Sequence, residues 1–389
     1  MDQSIAPLQE KQRLIWIDAA RGFAVFGIFI VNLPTFNGPY FLYGNGMNYW
    51  GEGEPGIWQA IIDIFFQASF YSLFSFLFGF GMQIIFENLR NKGISPRKTM
   101  ARRQVLLLVV GIVHAFIIWY GDILISYSIV GFLLLLFMYR KNITLVVWSI
   151  CLLFIPALLL TGLLYLARDY MTLVNAAAIE ASYQSFGAGS WNDIFRQNLT
   201  NWLYSNDIFN LLFTVANLLP IFLIGVIFAR KKWLHDLQAH HHTLRTIWVL
   251  SFVLFIVFKA GPYLMGNPLW LSIMQDTLGG TSSAIFYVVS ISLIYKKIPS
   301  ILDKFAYVGK MALSNYLFQS VIGVLLFYSI GFGLYGDLNP FQTILVAFIV
   351  FPVQIVLSYL WLKKFKRGPL EWVWRSLTYR SNLANKRKV

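Results

Sequence analysis

Charged side chains are scarce in this sequence, and their scarcity excludes an ordinary soluble domain. Only 12% of the 389 residues are Asp, Glu, Lys or Arg, whereas soluble domains carry roughly 25%. Acidic residues are the rarer sign, 17 against 31 Lys and Arg, which gives a net charge of +14. The basic residues form short clusters between apolar runs, a distribution that encodes membrane topology. We therefore expect no nucleic-acid partner.

Cysteine and the motifs of soluble enzymes are nearly absent as well. The one cysteine, Cys151, lies in an apolar run, so no intrachain disulfide can form. The sequence has no glycine-rich phosphate loop, no nucleophile elbow and no paired-carboxylate hydrolase pattern. Four histidines cluster at 235–242 without a second ligand set at fixed spacing, so we expect a solvated loop there and no metal site.

Long apolar runs are what the sequence has in abundance. Runs of about 20 residues cross a bilayer core of about 30 Å. The sequence predicts an all-α, polytopic integral membrane bundle of about ten transmembrane helices, forming one transmembrane domain over residues 1–389. The second run is overlong, and its serines at 69, 72 and 75 predict a break or a strong tilt. The candidate spans are 14–33, 57–87, 102–120, 122–139, 143–167, 208–229, 244–265, 277–295, 311–332 and 340–362.

The positions of the basic residues test this count of spans. With the N-terminus inside, all but four of the 31 Lys and Arg fall in inside segments or in the C-terminal tail. This strong positive-inside bias predicts cytoplasmic termini and a multi-pass protein of the cell membrane, with the lipid bilayer as its partner. The outside segment at about 168–207 is expected to form short surface helices. The basic tail at about 363–389 is expected to lie along the inner interface.

The first apolar run carries a polar stripe. Asp18 lies one turn before Arg21, and Asn32 follows about three turns later on the same face. Polar and ionisable residues inside a span are costly, so each is a functional candidate. Two interpretations stay open: an Asp–Arg pair that fixes the helix against its neighbours, and an anion site near the cytoplasmic face.

One histidine, His114, lies within a membrane span, and histidine is the side chain best suited to move protons near neutral pH. His114 is therefore the first candidate for a catalytic base. Asp122 follows about two turns later, on the same side but too far along a helix for direct contact. Asp63, in the outer half of the second run, is a further catalytic candidate. The competing interpretation of His114 and Asp63 is structural pairing between helices.

Two amides in the ninth run, Asn315 and Gln319, lie four residues apart on one helix face. Amides at this spacing commonly join transmembrane helices, and the alternative is a contact with a bound cofactor. Lys259, in the seventh run, is expected to extend its amine outward to the membrane surface.

Five segments, in order along the chain, form a recognisable set: Arg13-Leu14-Ile15-Trp16-Ile17-Asp18-Ala19-Ala20-Arg21-Gly22-Phe23-Ala24, Ser72-Leu73-Phe74-Ser75-Phe76-Leu77-Phe78-Gly79-Phe80-Gly81, Gly121-Asp122-Ile123-Leu124, Gly309-Lys310-Met311-Ala312-Leu313-Ser314-Asn315-Tyr316 and Gly368-Pro369-Leu370-Glu371-Trp372. Together they resemble the YeiB-like family, a bacterial membrane family catalogued as a domain of unknown function (number 418). The resemblance covers residues from about 13 to 380, nearly the whole chain.

That family is similar to a wider set of transmembrane acyltransferases, which includes the lysosomal heparan glucosaminide acetyltransferase and bacterial sugar O-acyltransferases. The shared piece is Asp-x-x-Arg-Gly, here Asp18 to Gly22. The resemblance implies acetyl-CoA or another acyl-CoA as cytoplasmic co-substrate and an outward-facing small-molecule or glycan acceptor. The sequence departs from the pattern where the O-acyltransferases have a histidine, since Asn32 occupies that position. The heparan enzyme's histidine also has no counterpart in Glu52-Gly53-Glu54.

Three functions stay open after these departures. A membrane acyltransferase would use His114, Asp63 or Asp122 in catalysis. The candidate residues for cofactor binding are Asp18, Arg21, Asn32, Asn315 and Gln319. The alternatives are a transporter of a small solute or lipid, whose pathway the same polar groups would line, and a non-catalytic scaffold with an acyltransferase-like shape. A homo-oligomer is compatible with each.

Overall fold

The computed structural model describes residues 14–39, 53–170, 175–381 and 384–387. Lys11, Arg13 and Glu52, which entered the sequence predictions, lie outside these residues. Within the described ranges the chain is helical and has no β-strand. The helices, with their π and 3-10 turns included, are α1 (Ile15–Asn37), α2 (Glu54–Phe65), α3 (Ser69–Asn91), α4 (Pro96–Ile118), α5 (Leu124–Phe137), α6 (Asn142–Leu166), α7 (Ala176–Ser182), α8 (Trp191–Ser205), α9 (Ile208–Arg230), α10 (His241–Met265), α11 (Leu269–Ile294), α12 (Pro299–Lys310), α13 (Ala312–Phe327), α14 (Pro340–Lys364) and α15 (Pro369–Tyr379).

These helices correspond in order to the ten apolar runs, which confirms the prediction of an all-α polytopic membrane bundle. In the described residues, eight units are long and apolar enough to cross a membrane: α1, α2 with α3, α4, α6, α9, α10, α11 and α14. The pair α12–α13 passes the same test together but is bent by 81°. The remaining run is α5, an apolar helix of 14 residues. Only 22% of the apolar windows of α6 and α10 is buried, so these helices present apolar side chains to lipid.

The predicted break in the second span lies between α2 and α3. Ala68 adopts a left-handed conformation with φ of 59° and is 1% exposed. The backbone N–H of Ser69 donates to the carbonyls of Phe66 and Gln67, so the polar groups freed by the break are bonded again, as a membrane interior requires. Gly280 of α11 packs against this point, where a Cβ would lie 2.9 Å from the Cβ of Ala68.

The end of α4 is irregular, and this irregularity positions the site. Residues 114–118 form a π-helical turn, and Trp119 is extended with φ −158° and ψ 132°. The backbone N–H of Asp122 donates to the carbonyl of Tyr120 at 2.8 Å. The 119–123 loop therefore reverses the chain before α5 begins at Leu124. Single π turns within helices are frequent at functional sites.

Contacts between elements define two ends of the bundle. At the end that carries the basic clusters, the basic end, Trp16 Nε1 donates to the carbonyl of Leu234 at 2.9 Å. Arg230 there donates to the carbonyl of Arg140 at 2.7 Å. At the opposite, distal end, Asn37 Nδ2 donates to the carbonyl of Leu338 at 2.7 Å. These groupings agree with the alternation of helix directions inferred from charge.

Helices α1 and α12 touch through their backbones. A Cβ on Gly309 would collide with the carbonyl of Asp18, and one on Gly22 with the carbonyl of Phe305. Small residues at such positions let transmembrane helices approach closely. The contact fixes the height of Asp18 and Arg21 in the basic half of the bundle.

The tail helix α15 is docked at the basic end. Glu371 accepts hydrogen bonds from Ser314 N at 3.0 Å and Ser314 Oγ at 2.6 Å. The Arg103 guanidinium lies 3.5 Å from the centroid of the Trp374 ring, a cation–π contact. The short helices α7 and α8 lie at the distal end, where Trp202 contacts Phe116 of α4.

Candidate functional site

An open cavity of about 380 Å³ lies in the distal half of the bundle. It is bounded by α1, α3, α9, α13, the 119–123 loop and the end of α8. Among the described residues, no Lys, Arg or His lines it. Its aromatic lining is Phe66, Phe70, Tyr71, Trp119, Tyr120, Phe213 and Tyr316. Its polar lining is Asn32, Thr35, Asp122, Ser126, Ser205, Asn206, Thr214 and Asn217. Such walls suit an uncharged ligand that combines hydrogen-bonding groups with apolar surface.

A buried carboxylate–imidazole pair stands behind one wall of this cavity. His114 Nδ1 lies 2.8 Å from Asp122 Oδ1, and the Ile125 N–H donates to Asp122 Oδ2 at 2.7 Å. The expectation that Asp122 lies too far along the helix to touch His114 is therefore wrong. It assumed a continuous helix, whereas the π turn and the 119–123 loop fold Asp122 back beside His114.

The second nitrogen of His114 contacts a serine of α13. His114 Nε2 lies 2.9 Å from Ser320 Oγ, which is also 3.3 Å from the carbonyl of Tyr316. In the tautomer whose Nδ1–H donates a hydrogen bond to Asp122 Oδ1, the imidazole presents Nε2 as an acceptor to the Ser320 hydroxyl. Asp122, His114 and Ser320 thus form a continuous hydrogen-bonded chain.

Aromatic rings separate this chain from the cavity. The side chains of His114 and Asp122 are both 0% exposed, so the cavity meets the backbone of the 119–123 loop and not the carboxylate. The Tyr316 ring centroid lies 5.1 Å from that of His114, and the Trp119 centroid lies 6.5 Å away. Tyr316 and Trp119 both line the cavity, and a shift of either ring would open a path to the imidazole.

The polar stripe of α1 divides between the two halves of the bundle. Asn32 lines the cavity. Asp18 Oδ1 lies 3.0 Å from Arg21 Nη1 in the basic half, with Asp18 1% and Arg21 27% exposed at their side chains. Arg103 lies close enough to Arg21 for mutual repulsion, and its Nε is buried without a hydrogen-bond partner. Two guanidinium groups therefore lie near each other in the basic half.

Asp63 belongs to a separate polar cluster at the distal end. It accepts hydrogen bonds from Gln59 Nε2 and from the Tyr263 hydroxyl, both at 2.9 Å. Nearby, Lys259 Nζ lies 3.1 Å from Asp276 Oδ1, and the lysine side chain is 0% exposed. The expectation that Lys259 extends outward is wrong. The carboxylate of Asp276, whose side chain is 37% exposed, supplies a partner for the buried amine, so the lysine side chain does not extend to the membrane surface by itself.

The amides Asn315 and Gln319 do not line the cavity. Asn315 Nδ2 donates to Ser358 Oγ at 3.0 Å, and Gln319 Nε2 donates to Gln354 Oε1 at 2.9 Å. Gln354 in turn donates to the Asn315 carbonyl at 3.1 Å. This buried network joins α13 to α14, which is the structural role that amide spacing also allows.

The tail helix carries a buried carboxyl, Glu371, beside α13. Burial raises the pKa of the Glu371 carboxyl above its ordinary value, and the hydrogen bonds from Ser314 oppose part of that rise.

Within the described ranges no three His, Cys, Asp or Glu side chains are grouped to hold a metal ion.

Sequence reasoning missed Ser320, Tyr316 and Arg103. Ser320 is one of several serines in apolar helices, and no local pattern distinguishes it. Tyr316 is part of a segment that resembles the YeiB-like family, but nothing in its surroundings marks a cavity wall. Arg103 was counted as a topology signal in a basic cluster, and its nearness to Arg21 depends on tertiary packing.

Relatives match this chain along almost its full length. The family model described as "Protein of unknown function (DUF418)" matches residues 228–381. The chain is 35% identical to the uncharacterized protein YxaH of Bacillus subtilis (strain 168), over 99% of this chain and 100% of that protein. It is 29% identical to the uncharacterized protein YeiB of Escherichia coli (strain K12), over 95% of this chain and 97% of that protein. Neither description names an activity.

Proposed function

From the premise that this chain belongs to the DUF418 family of proteins of unknown function, we propose that it is a membrane acyltransferase. The donor is acetyl-CoA or another acyl-CoA at the basic end, which faces the cytoplasm. The acceptor is a hydroxyl or amine compound that enters the distal cavity from the opposite side. The observation that carries the proposal is the His114–Asp122 pair, 2.8 Å apart, behind the wall of that cavity.

His114 is the general base in this proposal. Acyl transfer from a thioester requires the attacking hydroxyl or amine to lose a proton, and a positioned base typically contributes about 10²–10⁴-fold in rate. Asp122 is a positioning residue, because its carboxylate orients the imidazole and stabilises the imidazolium that forms. Asn32 lies on the cavity wall, where its amide can hydrogen-bond the acceptor.

The donor phosphates are assigned to the guanidinium groups of the basic half. Arg103 lies close enough to Arg21 for mutual repulsion, so two guanidinium groups are near each other in this half, and Asp18 pairs with Arg21. The buried Nε of Arg103 has no hydrogen-bond partner, so a donor is left over for an anion. Planar guanidinium groups bind phosphate oxygens in a forked geometry. These residues therefore fit the phosphates of coenzyme A.

Helix α1 links the donor and acceptor regions. Arg21 and Asn32 lie on the same face of α1 and are separated by about 16 Å along its axis. The long pantetheine arm of coenzyme A would run beside α1, which brings the thioester from the basic half towards the cavity. Similar acyltransferases have a histidine at position 32, where this chain has Asn32. In this proposal His114 takes the role of that histidine.

A thermal-shift titration of the purified protein in detergent tests this function. Acetyl-CoA should raise Tm in a saturable way, because a ligand at a hundredfold its Kd stabilises by about 2.7 kcal/mol. Dephospho-CoA should bind more weakly. Arg21→Ala removes one charge-assisted contact and should weaken affinity about tenfold or more. Arg245→Ala, at an exposed arginine of α10, is the matched control and should bind normally.

Three results would contradict this proposal or part of it. No stabilisation by millimolar acetyl-CoA would remove the acyltransferase hypothesis. Unchanged affinity of the Arg21→Ala protein would remove the role of Arg21. A folded His114→Ala protein that keeps full acyl transfer would exclude His114 as the base and leave it a structural role only.

The cluster around Lys259 favours transport as the second candidate function. Asp63 and the Lys259–Asp276 pair lie inside the distal end of the bundle, and ionisable groups within membrane proteins commonly line solute or proton pathways. This candidate predicts solute flux in liposomes without acyl-CoA, reduced by Asp63→Asn. Acyl-CoA binding without flux would exclude it.

A further inference from the structure

The hydroxyl of one serine in the bundle is hydrogen-bonded to a histidine, and the other ring nitrogen of that histidine is hydrogen-bonded to a carboxylate. Ser320 Oγ lies 2.9 Å from His114 Nε2, and His114 Nδ1 lies 2.8 Å from Asp122 Oδ1. In the part of the chain that the structure describes, this is the one hydrogen bond between a serine and a histidine. Both distances fall within the range for a nucleophile, its base and the group that orients the base.

We propose that Ser320 is the nucleophile of a covalent catalytic step and carries the acyl group between donor and acceptor. This inference rests on the proposed acyltransferase function and deepens it, because it assigns a two-step mechanism and an ester intermediate. Ser320 and His114 are the catalytic residues, and Asp122 is a positioning residue. The arrangement has the roles of a Ser-His-Asp triad on an unrelated, all-helical scaffold.

The chemistry balances without any further reactant. In the first step Ser320 Oγ attacks the thioester carbonyl carbon, the C–O bond forms and the C–S bond breaks. His114 Nε2 takes the hydroxyl proton and delivers it to the sulfur, so coenzyme A leaves as a thiol. In the second step the acceptor oxygen or nitrogen attacks the ester carbonyl carbon, a new C–O or C–N bond forms, and the bond between that carbon and Ser320 Oγ breaks. The acceptor's proton passes through His114 to Ser320 Oγ, which restores the free serine.

The depth of Ser320 in the bundle suits a carrier of the acyl group between the basic half and the distal cavity. Ser320 lies about 12 Å along α13 from the start of that helix at the basic end, close to the helix midpoint. Tyr316, one turn nearer the basic end, already lines the distal cavity, so the serine lies at a depth that the cavity reaches. A carrier at this height lies between the basic half, where the thioester is proposed to bind, and the distal cavity, where the acceptor is proposed to bind.

Burial of the serine protects such an ester from water. Ser320 is 1% exposed and His114 is 0% exposed, and exclusion of water limits hydrolysis of a reactive intermediate. Tyr316 forms the partition, with its ring 5.1 Å from the imidazole and its hydroxyl 3.4 Å from the Gly121 carbonyl. Rotation of the Tyr316 side chain would expose Ser320 to the cavity.

Other buried serines lack this arrangement and provide a control. Ser292 of α11 is also 1% exposed, but its hydroxyl donates to the carbonyl of Val288 at 2.7 Å. Such bonding to the preceding turn is the usual state of a serine inside a transmembrane helix. Ser292→Ala therefore removes the same atoms as Ser320→Ala from a similar environment without touching a histidine.

An exchange experiment needs no knowledge of the acceptor. The purified protein is incubated with acetyl-CoA and radiolabelled CoA, and the label that enters acetyl-CoA is measured. A serine ester predicts exchange in the absence of any acceptor. Acid quenching after incubation with acetyl-labelled acetyl-CoA should leave label on the protein, released by hydroxylamine. Mass spectrometry of peptides from the wild-type protein should locate the acetyl group on Ser320.

The variants separate the roles of the three residues. Ser320→Ala should lose exchange by more than about a hundredfold, Ser320→Cys should retain a thioester-forming activity, and Ser292→Ala should exchange normally. Asp122→Asn should slow exchange and change its dependence on pH, since the wrong histidine tautomer would be favoured.

Each remaining outcome decides against the inference. Acetyl-CoA binding and acyl transfer without exchange or protein-bound label would overturn the covalent step and leave the proposed function standing. Label on His114 in place of Ser320 would overturn the assignment of the nucleophile. Absence of binding, exchange and label together would overturn both the inference and the proposed function.

Discussion

The hydrogen bond between His114 and Asp122 makes a prediction about stability that does not depend on any activity. Either partner, replaced by alanine, should destabilise the protein, and the double replacement should cost less than the sum. The bond is 2.8 Å long and both side chains are 0% exposed. His114→Ala also leaves Ser320 without its imidazole partner, and Asp122→Ala also leaves the Ile125 N–H without its carboxylate.

The magnitudes follow from these contacts. A buried group left unpaired costs about 1–3 kcal/mol, and the space vacated by an imidazole adds a cavity term. We expect about 3 kcal/mol for His114→Ala and about 2 kcal/mol for Asp122→Ala, because the histidine is larger. Hydrogen bonds inside membrane proteins contribute about 0.6 kcal/mol on average and about 1.7 kcal/mol at most. With no solvent at this pair, we expect a coupling near the upper value, about 1.5 kcal/mol.

The assay is a double-mutant cycle of unfolding free energies in detergent or bicelles. The control cycle pairs His114→Ala with Ser292→Ala, which share no partner and should add within about 0.5 kcal/mol. If the His114–Asp122 cycle is additive to the same degree, the two side chains do not interact in the folded protein. That result would refute the geometry on which both the base and the nucleophile assignments depend.

Two further predictions concern packing and pH. Gly309→Ala should lower Tm by several degrees because the new Cβ collides with the Asp18 carbonyl. The control Gly162→Ala places its Cβ in open space and should leave Tm unchanged. Equal Tm values for the two variants would contradict the α1–α12 contact. Burial raises the pKa of Glu371 when α15 is docked on the bundle, so the docked tail binds more protons than an undocked tail. Docking should therefore strengthen as pH falls and weaken as pH rises through the raised pKa. The pH dependence of docking is measured as the protection of α15 from protease between about pH 5 and pH 8. Glu371→Gln should abolish this pH dependence. If the pH dependence survives in that variant, it arises from another group.

The helical class and the alternation of the chain were predictable from the sequence because both depend on local composition. Bilayer thickness selects runs of about 20 apolar residues, and basic clusters choose the side of each connection. The break at Ala68 was also predictable near Ser69, since an overlong run must bend or tilt. Arg230 and Trp16 then show the predicted grouping of ends through their contacts across the chain.

The partners of the buried polar groups were not predictable in the same way. Asp122 was assigned to the correct side of α4 but to the wrong height, because no sequence signal marked the π turn at 114–118. Lys259 was expected at the membrane surface, since its partner Asp276 lies on another helix. Asn315 and Gln319 share a face as spacing predicts, but only the packing of α14 shows that they bond to Gln354 and Ser358.

The sequence by itself determined that this protein is a helical membrane bundle with a basic end, because hydropathy and charge act on each segment independently of the others. Only the tertiary structure decided which polar side chains meet. Ser320 lies on a helix more than 200 residues from His114, and Asp122 reaches His114 only through the π turn and the loop that follows it, so their distances of 2.8 and 2.9 Å depend on packing. Hydrogen bonds of this kind are set by angstrom-scale positions, which composition and periodicity do not encode.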